Sequence, residues 1–312
     1  MPMNSPMNNH ENKPIAKMDP SGSVIDLKAH LEMRNNEKSG KRLKNKHKRP
    51  RIFAITSGKG GVGKTNIVAN LGFTLSRFGQ KVLILDADLG LGNLDVLLGL
   101  TPEYNLSHFI RGEKNLSEIV VSGPGRLKIL PAASGIDEMT SLSPEERYLV
   151  FSQLDSFIRD FDIMLIDTAA GISSNVLYFN INADEIIVVA TPEPTSITDA
   201  YALMKVLSVK YGTNQFKLVI NAVANDHEAD DVYRQLNLVA DRFLNIKIDY
   251  YGGIVLDENL KKSVRQQRVV SELSPLTMAS RNFAALARKI ASEAFDGEKK
   301  RPFEWGMTDI PR

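Results

Sequence analysis

Eight consecutive residues, Gly58 to Thr65, read GKGGVGKT and match the phosphate-binding pattern G-x-x-x-x-G-K-[ST]. Their glycines allow neighbouring backbone N–H groups to converge on phosphate oxygens, where a side chain would block the approach. The helix predicted to begin here adds the partial positive charge of its N-terminus. Lys64 is placed to neutralise the β- and γ-phosphates, and Thr65 is placed to ligate Mg²⁺. The alternative is a glycine-rich turn that binds nothing, and the full match in this context disfavours it.

Three carboxylates follow apolar stretches that we predict to be strands. Asp86 and Asp88 come after KVLIL, whereas Asp167 comes after IMLI and leads to Gly171. Because the carboxyl ends of parallel strands face the ligand crevice of an open α/β sheet, these side chains should lie beside the phosphates. An aspartate at such a position can also be a plain helix cap. Next to a phosphate loop we favour a Mg²⁺-holding role for Asp167, with the Gly171 N–H directed at the γ-phosphate.

Short apolar runs alternate with helical patterns from Arg51 onward, which is typical of βαβ units. We predict strands at about 52–56, 81–86, 127–130, 162–167, 185–190, 216–221 and 247–252. We predict helices at about 64–78, 144–160, 173–181, 196–211, 227–245 and 275–294. Near-continuous apolar strands indicate that helices cover both faces of the sheet. The expected fold class is therefore α/β, with a doubly wound, mostly parallel sheet.

The composition excludes several classes of protein. The chain has 312 residues, 43% of them hydrophobic, and no cysteine, which excludes disulfide frameworks and thiolate-ligated clusters and suits a reducing cytoplasm. No apolar run of about 18 residues is present, so any membrane contact should be peripheral, at the inner face of the cell membrane. Residues 1–50 lack apolar periodicity and predict a disordered basic arm. We predict one domain at 51–295 and a loosely structured tail at 296–312.

Lys59 lies inside the loop, where a solvated lysine would be the plain interpretation. The form KGGVGKT, however, resembles the deviant Walker A motif of the MinD/ParA family of P-loop NTPases, the SIMIBI type. The similarity runs from about Arg51 to Phe295. Within it, DADLGLGNLDVLLGL at 86–100 and EPTSITDAYAL at 193–203 are similar to the flagellar-number regulators FlhG and FleN. In that family this lysine reaches the partner's nucleotide, so the resemblance implies an ATP-sandwiching homodimer and slow, Mg²⁺-dependent ATP hydrolysis.

The resemblance also implies roles for individual residues. Asp88, in the first switch, would orient the attacking water, and Asp86 would support it nearby. Asp167 and Gly171 would form the second switch. Asp199 matches the position that holds the first lysine of the loop when ATP is absent. Water attack on a phosphoryl group needs positioning and electrostatic stabilisation more than a strong base, which suits these side chains.

Grouped by task, the implied site residues fall into three sets. The catalytic set is Lys59, Lys64 and Asp88, and the Mg²⁺ ligands are Thr65, Asp86 and Asp167. The set that contacts ATP or ADP consists of the loop, the second-switch glycine, two residues bordering the base or ribose, and an asparagine that would hydrogen-bond adenine: Gly58, Lys59, Gly60, Gly61, Val62, Gly63, Lys64, Thr65, Asn66, Gly171, Pro192, Glu193 and Asn221.

The same resemblance implies flagellar partners for the ATP-bound homodimer. These are an FlhF-type GTPase, a FleQ-type transcription activator and proteins of the flagellar rotor or C-ring, met in the cytoplasm near the flagellar pole. The start of the chain departs from many relatives, because Val24 to Glu32 lacks their Asp-Gln-Ala motif for GTPase activation. Activation of a GTPase by this arm would need a divergent sequence.

Two further functions stay open. The basic run at 41–51 has three interpretations: a solvated linker, a segment attracted to an anionic membrane surface, or a segment that binds nucleic acid. No aromatic residues interleave to stack on bases, which disfavours nucleic acid. It still supports the alternative of a ParA-type DNA-partitioning ATPase. A metabolic enzyme of the same superfamily is the third possibility, although nothing marks a second substrate pocket.

In the tail, bases precede Phe303 and Trp305, but Pro302 opposes an amphipathic helix, so we expect only weak membrane-surface contact.

Overall fold

The computed structural model describes residues 49–88, 92–131 and 152–295. The chain separates into two compact units, 1–40 and 41–312, and the first lies outside the described residues. The predicted arm, apart from residues 49 and 50, and the predicted tail at 296–312 also lie outside them.

An eight-stranded sheet forms the centre of the second unit. Its strands are β1 (Arg51–Ser57), β2 (Val82–Ala87), β3 (Val121–Ser122), β4 (Lys128–Pro131), β5 (Ile163–Ala170), β6 (Glu185–Ala190), β7 (Gln215–Val223) and β8 (Lys247–Val255). Their order is β3-β4-β2-β5-β1-β6-β7-β8, and every neighbouring pair is parallel except the antiparallel pair β3–β4. The carboxyl ends of the parallel strands therefore meet along one edge of the sheet.

Helices cover both faces of this sheet. They are α1 (Lys64–Arg77), α2 (Leu94–Leu98), α3 (Leu106–Ile110), α4 (Leu116–Ile119), α5 (Ser174–Asn182), α6 (Pro194–Tyr211), α7 (Asp226–Leu244), α8 (Glu258–Arg265), α9 (Val270–Leu273) and α10 (Met278–Ser292), with a further helical stretch at 152–158. Alternate strand residues point to opposite faces, so Phe53 and Ile55 pack under α1 and α10, whereas Ile52 and Ala54 belong to the core on the other face. No helix in the described ranges is long and apolar enough to cross a membrane.

The predicted α/β class and mostly parallel sheet are confirmed. Every predicted strand is present, and the predicted helices within the described residues are present, with ends that shift by at most three residues. The helix predicted at 144–160 is seen at 152–158, and its first part lies outside the described residues. The sequence pattern missed β3 and the short helices α2, α3, α4, α8 and α9. Helices of one or two turns are too short to show an apolar period.

Two carbonyls on the outer side of the edge strand β8 accept hydrogen bonds from side chains. The Lys247 N–H donates to the Asn214 carbonyl at 2.8 Å, which places the neighbouring carbonyl of Ile248 on the side away from β7. That carbonyl accepts from the Tyr233 hydroxyl of α7 at 3.3 Å. Two residues on, the Tyr250 carbonyl accepts from the Lys289 ammonium of α10. Helices on opposite faces thus each send one side chain over the edge of the sheet.

A largely buried ion network ties the amino end of the sheet together. Arg51, at the start of β1, pairs with Glu185 at the start of β6 and, at 2.6 Å, with Glu293 just beyond α10. It also donates to the Ile290 carbonyl at 2.9 Å. Lys217, in β7, lies 2.8 Å from Glu185 and 3.4 Å from Glu293. Each buried charge therefore has opposite charges beside it, and the network fixes the end of α10 to the central strands.

Candidate functional site

The predicted phosphate loop connects β1 to α1, as the pattern requires. Gly63 is the residue before α1 and has a φ of 91°, a left-handed conformation that favours glycine. A Cβ at Gly58 would lie 2.8 Å from the Asp199 Cβ and closer still to the Asp199 backbone carbonyl. A Cβ at Gly63 would overlap the Asn221 side-chain amide. The loop is thus held between the first turns of α6 and the end of β7, and only glycine fits at these two points.

Lys64 is the buried cation of the site. Its ammonium donates to the Ser57 hydroxyl at 2.9 Å, and Ser57 in turn donates to the Lys59 carbonyl at 2.7 Å. Burial lowers the pKa of Lys64, while the charges of Asp167 and Asp88 act in the opposite direction. The ammonium is therefore close to both carboxylates without an ion pair to either, and it remains available to an anion.

Asp86 and Asp167 lie side by side, because they are register partners on the parallel strands β2 and β5. Asp167 is 1% exposed, and neither of its carboxylate oxygens has a hydrogen-bond partner among the described residues. Burial raises the pKa of Asp167 to about 7, with a further contribution from Asp86, against the effects of Thr65 and Lys64. Burial likewise raises the pKa of Asp86 to about 6. Burial thus disfavours the ionised form of both carboxyl groups. Together with the threonine hydroxyl beside them, their oxygens are ligands that suit a hard divalent cation, which would stabilise the ionised form.

Asp88 follows β2, and residues 89–91 of the first switch lie outside the described residues. The Asp88 N–H donates to a carboxylate oxygen of Asp86 at 3.3 Å. Gly92 lies close to the same side chain, since a Cβ there would lie 3.0 Å from the other Asp86 oxygen. The predicted water-positioning residue is therefore joined directly to a predicted Mg²⁺ ligand.

The Gly171 N–H, expected to face the γ-phosphate, donates to the Ser57 carbonyl at 2.8 Å. Gly171 has a φ of 92°, and a Cβ there would meet nothing within 4 Å. Gly171, expected in the second switch, is thus joined to the last residue of β1, and its amide is engaged in this hydrogen bond.

Lys59 has partners other than the expected one. Its ammonium forms an ion pair with Glu193, the residue before α6, and donates to the Thr195 hydroxyl at 2.9 Å. Asp199, the expected partner, instead lies against the backbone of Gly58. The difference arises because the lysine reaches the first turn of α6, whereas Asp199 lies one turn further along the helix.

The residues expected at the base and ribose come from two places in the fold: Asn221 from β7, and Pro192 and Glu193 from the segment before α6. The Asn221 amide donates to the Val62 carbonyl at 2.7 Å and so braces the loop itself. Pro192 lies in the turn between β6 and α6, beside exposed Glu193. Asn66 is on α1, where its side-chain carbonyl accepts from the Asn70 amide at 2.8 Å.

Sequence reasoning did not select two residues that the structure places in the site, Ser57 and Thr195. Ser57 bridges Lys64 and Lys59, and Thr195 holds the Lys59 ammonium. Ser57 directly precedes the loop, and its position was the one available signal. Thr195 lies in the sequence more than a hundred residues away, so only the fold brings it to the loop.

Comparison with known proteins gives a consistent result. A protein-family profile described as an AAA domain matches residues 50–220. The chain is 43% identical to the antiactivator FleN of Pseudomonas aeruginosa over 241 residues, 77% of this chain and 86% of FleN. It is 34% identical to the flagellum site-determining protein YlxH of Helicobacter pylori over 255 residues, 81% of this chain and 86% of YlxH.

Solved structures agree with these sequence relatives. The MinC:MinD cell division protein complex of Aquifex aeolicus superposes with a TM-score of 0.63 at 27% identity, covering 81% of this chain and 99% of the other. The septum site-determining protein MinD of Pyrococcus horikoshii, complexed with Mg-ADP, gives a TM-score of 0.63 at 25% identity, covering 78% and 96%. The structural similarity therefore covers about four fifths of this chain and nearly all of each MinD chain.

Proposed function

Since this chain belongs to the MinD/ParA family of P-loop ATPases and hydrolyses ATP, we propose that it is an ATP-dependent dimerising switch that regulates flagellar number and placement. The observation that carries the nucleotide chemistry of this proposal is the pair Asp86–Asp167 beside Lys64, next to the phosphate loop. A buried carboxylate with both oxygens unpartnered is costly unless a cation completes it. Thr65, Asp86 and Asp167 would hold Mg²⁺, which neutralises phosphate charge when bound.

The remaining residues bind and position the substrate. The loop amides and the α1 N-terminus cradle the phosphates, and Lys64 exchanges the Ser57 hydroxyl for the β- and γ-phosphate oxygens. Asp88 orients the attacking water, which needs positioning more than a strong base. The Gly171 N–H leaves the Ser57 carbonyl to face the γ-phosphate. Both rearrangements take place at Ser57, because Lys64 gives up its hydroxyl and Gly171 gives up its backbone carbonyl.

Lys59 supplies the link between the nucleotide and dimerisation. It is the most exposed charge of the loop, and Glu193 and Thr195 engage it within one chain. To serve the nucleotide of a second protomer, it must leave both. Its role across the dimer then resembles that of an arginine finger, which stabilises charge as it develops on the transferred phosphoryl group.

The regulatory part of the proposal is supported by the names of the relatives. FleN is named an antiactivator, and YlxH is named a flagellum site-determining protein. The partners proposed for the dimer are accordingly a FleQ-type transcription activator, an FlhF-type GTPase and rotor or C-ring proteins, met in the cytoplasm beside the membrane at the flagellar pole. The base and ribose would contact Pro192, Glu193 and Asn221, with Asn66 at the start of α1.

Oligomeric mass in the presence of each nucleotide tests the switch. We expect a monomer with ADP and a dimer with ATP–Mg²⁺ when Asp88→Ala slows hydrolysis. Asp231→Ala, an exposed change on α7, serves as the control and should hydrolyse normally. Adding Lys59→Ala to the slowed protein should abolish the dimer but leave ATP binding. A mass that ignores the nucleotide while ATP binds would exclude the sandwich mechanism for this chain.

A DNA-partitioning ATPase is the second candidate, and the basic run at 41–51 favours it. Two of its cations are engaged in the fold, because Arg49 pairs with Asp184 at 2.6 Å and Arg51 belongs to the ion network. Salt-titrated DNA retention with ATP discriminates the two candidates, since phosphate binding weakens steeply with salt. ATP-dependent, salt-sensitive retention would support partitioning, and its absence would leave the flagellar switch.

A further inference from the structure

A cavity of about 790 Å³ lies at the amino ends of β7 and β8, between α7 and the end of α10. The phosphate loop follows the carboxyl end of β1, so the cavity is at the opposite edge of the sheet. Its wall includes Tyr233, Asp241, Asp249, Tyr250, Lys289 and Glu293. None of these residues belongs to the nucleotide site, and the proposed ATP chemistry leaves the cavity without a task.

Two tyrosine rings form the aromatic part of the wall. The rings of Tyr233 and Tyr250 are stacked, with centroids 5.1 Å apart and planes inclined by 25°. The Tyr233 hydroxyl is fixed by its hydrogen bond to the Ile248 carbonyl. A rigid ring pair beside an open cavity is a surface on which a further aromatic or a cationic side chain can rest.

The charges of the wall nearly balance, because it holds the carboxylates of Asp241, Asp249 and Glu293 and the ammonium groups of Lys247 and Lys289. Asp249 pairs with Lys247 at 2.9 Å, whereas Asp241, near the end of α7, is exposed at the cavity. Glu293 and Lys289 border the cavity from the other side, at the end of α10. A segment with aromatic rings for the tyrosine pair and a base for Asp241 is therefore the chemistry that this wall would accept.

The chain itself supplies such a segment within reach. The described residues end at Phe295, whose ring lies 5.4 Å from the Arg49 guanidinium, two residues after Glu293. The sequence continues with Lys299, Lys300 and Arg301, then Phe303 and Trp305. An extended chain covers about 26 Å over the eight residues from Phe295 to Phe303, whereas the three strand spacings from β1 to β8 span about 14 Å.

We propose that this cavity is the docking site of the chain's own residues 299–305. Phe303 and Trp305 are two positions apart, so an extended segment directs both rings to the same side, against Tyr233 and Tyr250. The preceding bases then lie beside Asp241. Docking covers the basic and aromatic residues that would otherwise be offered to an anionic surface or to another protein, and it is independent of the proposed flagellar function.

Trp305 is the only tryptophan of the chain, so its fluorescence reports the docking directly. In the full-length protein we expect a blue-shifted emission and weak acrylamide quenching, compared with a synthetic peptide of residues 296–312. Tyr250→Ala removes one ring of the contact and should shift the docked-to-free ratio by about two- to ten-fold, so that quenching rises. A matched change at Tyr104, a tyrosine on the far side of the sheet, should leave the quenching unchanged.

A second variant guards against loss of folding in Tyr250→Ala. Asp241→Lys is an exposed charge reversal that should also raise quenching, whereas Asp231→Lys on the same helix serves as its control. The two positions are about 15 Å apart along the helix, beyond the screening distance at physiological salt. Quenching equal to that of the free peptide would overturn the proposal. So would protection that neither variant changes, or protection that disappears on dilution, which would indicate docking between two copies.

Discussion

Replacing Gly58 by alanine tests whether the loop is held by the close approach of α6. The new Cβ would lie 2.8 Å from the Asp199 Cβ, and closer to the Asp199 backbone carbonyl, whereas ordinary contact begins near 3.4 Å. The obstacle is backbone within a helix packed on the sheet, so no side-chain rotation relieves it. The new Cβ would lie only 2.0 Å from the Asp199 carbonyl oxygen, so the loop and α6 must separate by roughly an ångström or more, as overpacking of a rigid core requires.

The expected cost in stability is at the upper end of the overpacking range, about 3 kcal/mol. For a domain of this size that loss lowers the melting temperature by about 6–12 °C. Because the displaced loop also carries the phosphate ligands, ATP hydrolysis should fall by about 100-fold. Thermal unfolding of the ligand-free protein and a steady-state phosphate-release assay measure the two effects.

Gly60→Ala is the matched control within the same loop. A Cβ at Gly60 would meet only the Ala170 Cβ, at 4.0 Å, and Gly60 does not have a positive φ. The melting temperature of the ligand-free protein should therefore change by no more than about 2 °C. Equal melting temperatures for the two variants, or a Gly58→Ala protein as stable as the wild type, would refute the reasoning that α6 fixes the loop.

Three further predictions concern charged groups. Glu193→Gln weakens an exposed ion pair of Lys59, so light scattering should show dimers at an ATP concentration about two- to five-fold lower, and an unchanged concentration would contradict the proposed restraint. Burial raises the pKa of Asp167, so at pH 8 its ionised form costs stability. Asp167→Asn should raise the ligand-free melting temperature yet abolish Mg²⁺-dependent hydrolysis, and a lower melting temperature would be the contrary result. Arg51→Met leaves Glu185 and Glu293 with Lys217 as their remaining cation in the network, so the free energy of unfolding measured in urea should fall by about 2–4 kcal/mol. An unchanged free energy of unfolding would show that the network does not stabilise the fold.

The sequence predicted the parts of this molecule that local pattern encodes. The run Gly58 to Thr65 specifies its own backbone geometry, so the loop and the start of α1 follow from consecutive residues. The neighbourhood of Asp86 and Asp167 could be expected because parallel strands end at one edge of a sheet, and the structure places them in register. The strand order itself was not predicted, because it depends on contacts between distant segments.

The contacts that differ from expectation are those made across the fold. No local pattern tells whether Lys59 meets Asp199 or the pair Glu193 and Thr195, because all three follow β6 within a few residues. Asn221 likewise lies near the end of a strand, as an adenine-binding residue would, and its amide donates to the carbonyl of Val62, 159 residues earlier in the chain. Choosing between such neighbours requires the position of α6 and β7 relative to the loop.

The occupied carbonyls at the edge of β8 have a consequence for how this ATPase can assemble. An open strand edge attracts a strand of another molecule and can extend the sheet without limit. Here the Ile248 and Tyr250 carbonyls already accept from Tyr233 and Lys289, so an incoming strand would have to break both contacts. Fibre-like growth through this edge is thereby discouraged, so nucleotide-independent association through β8 should not compete with the dimerisation proposed above.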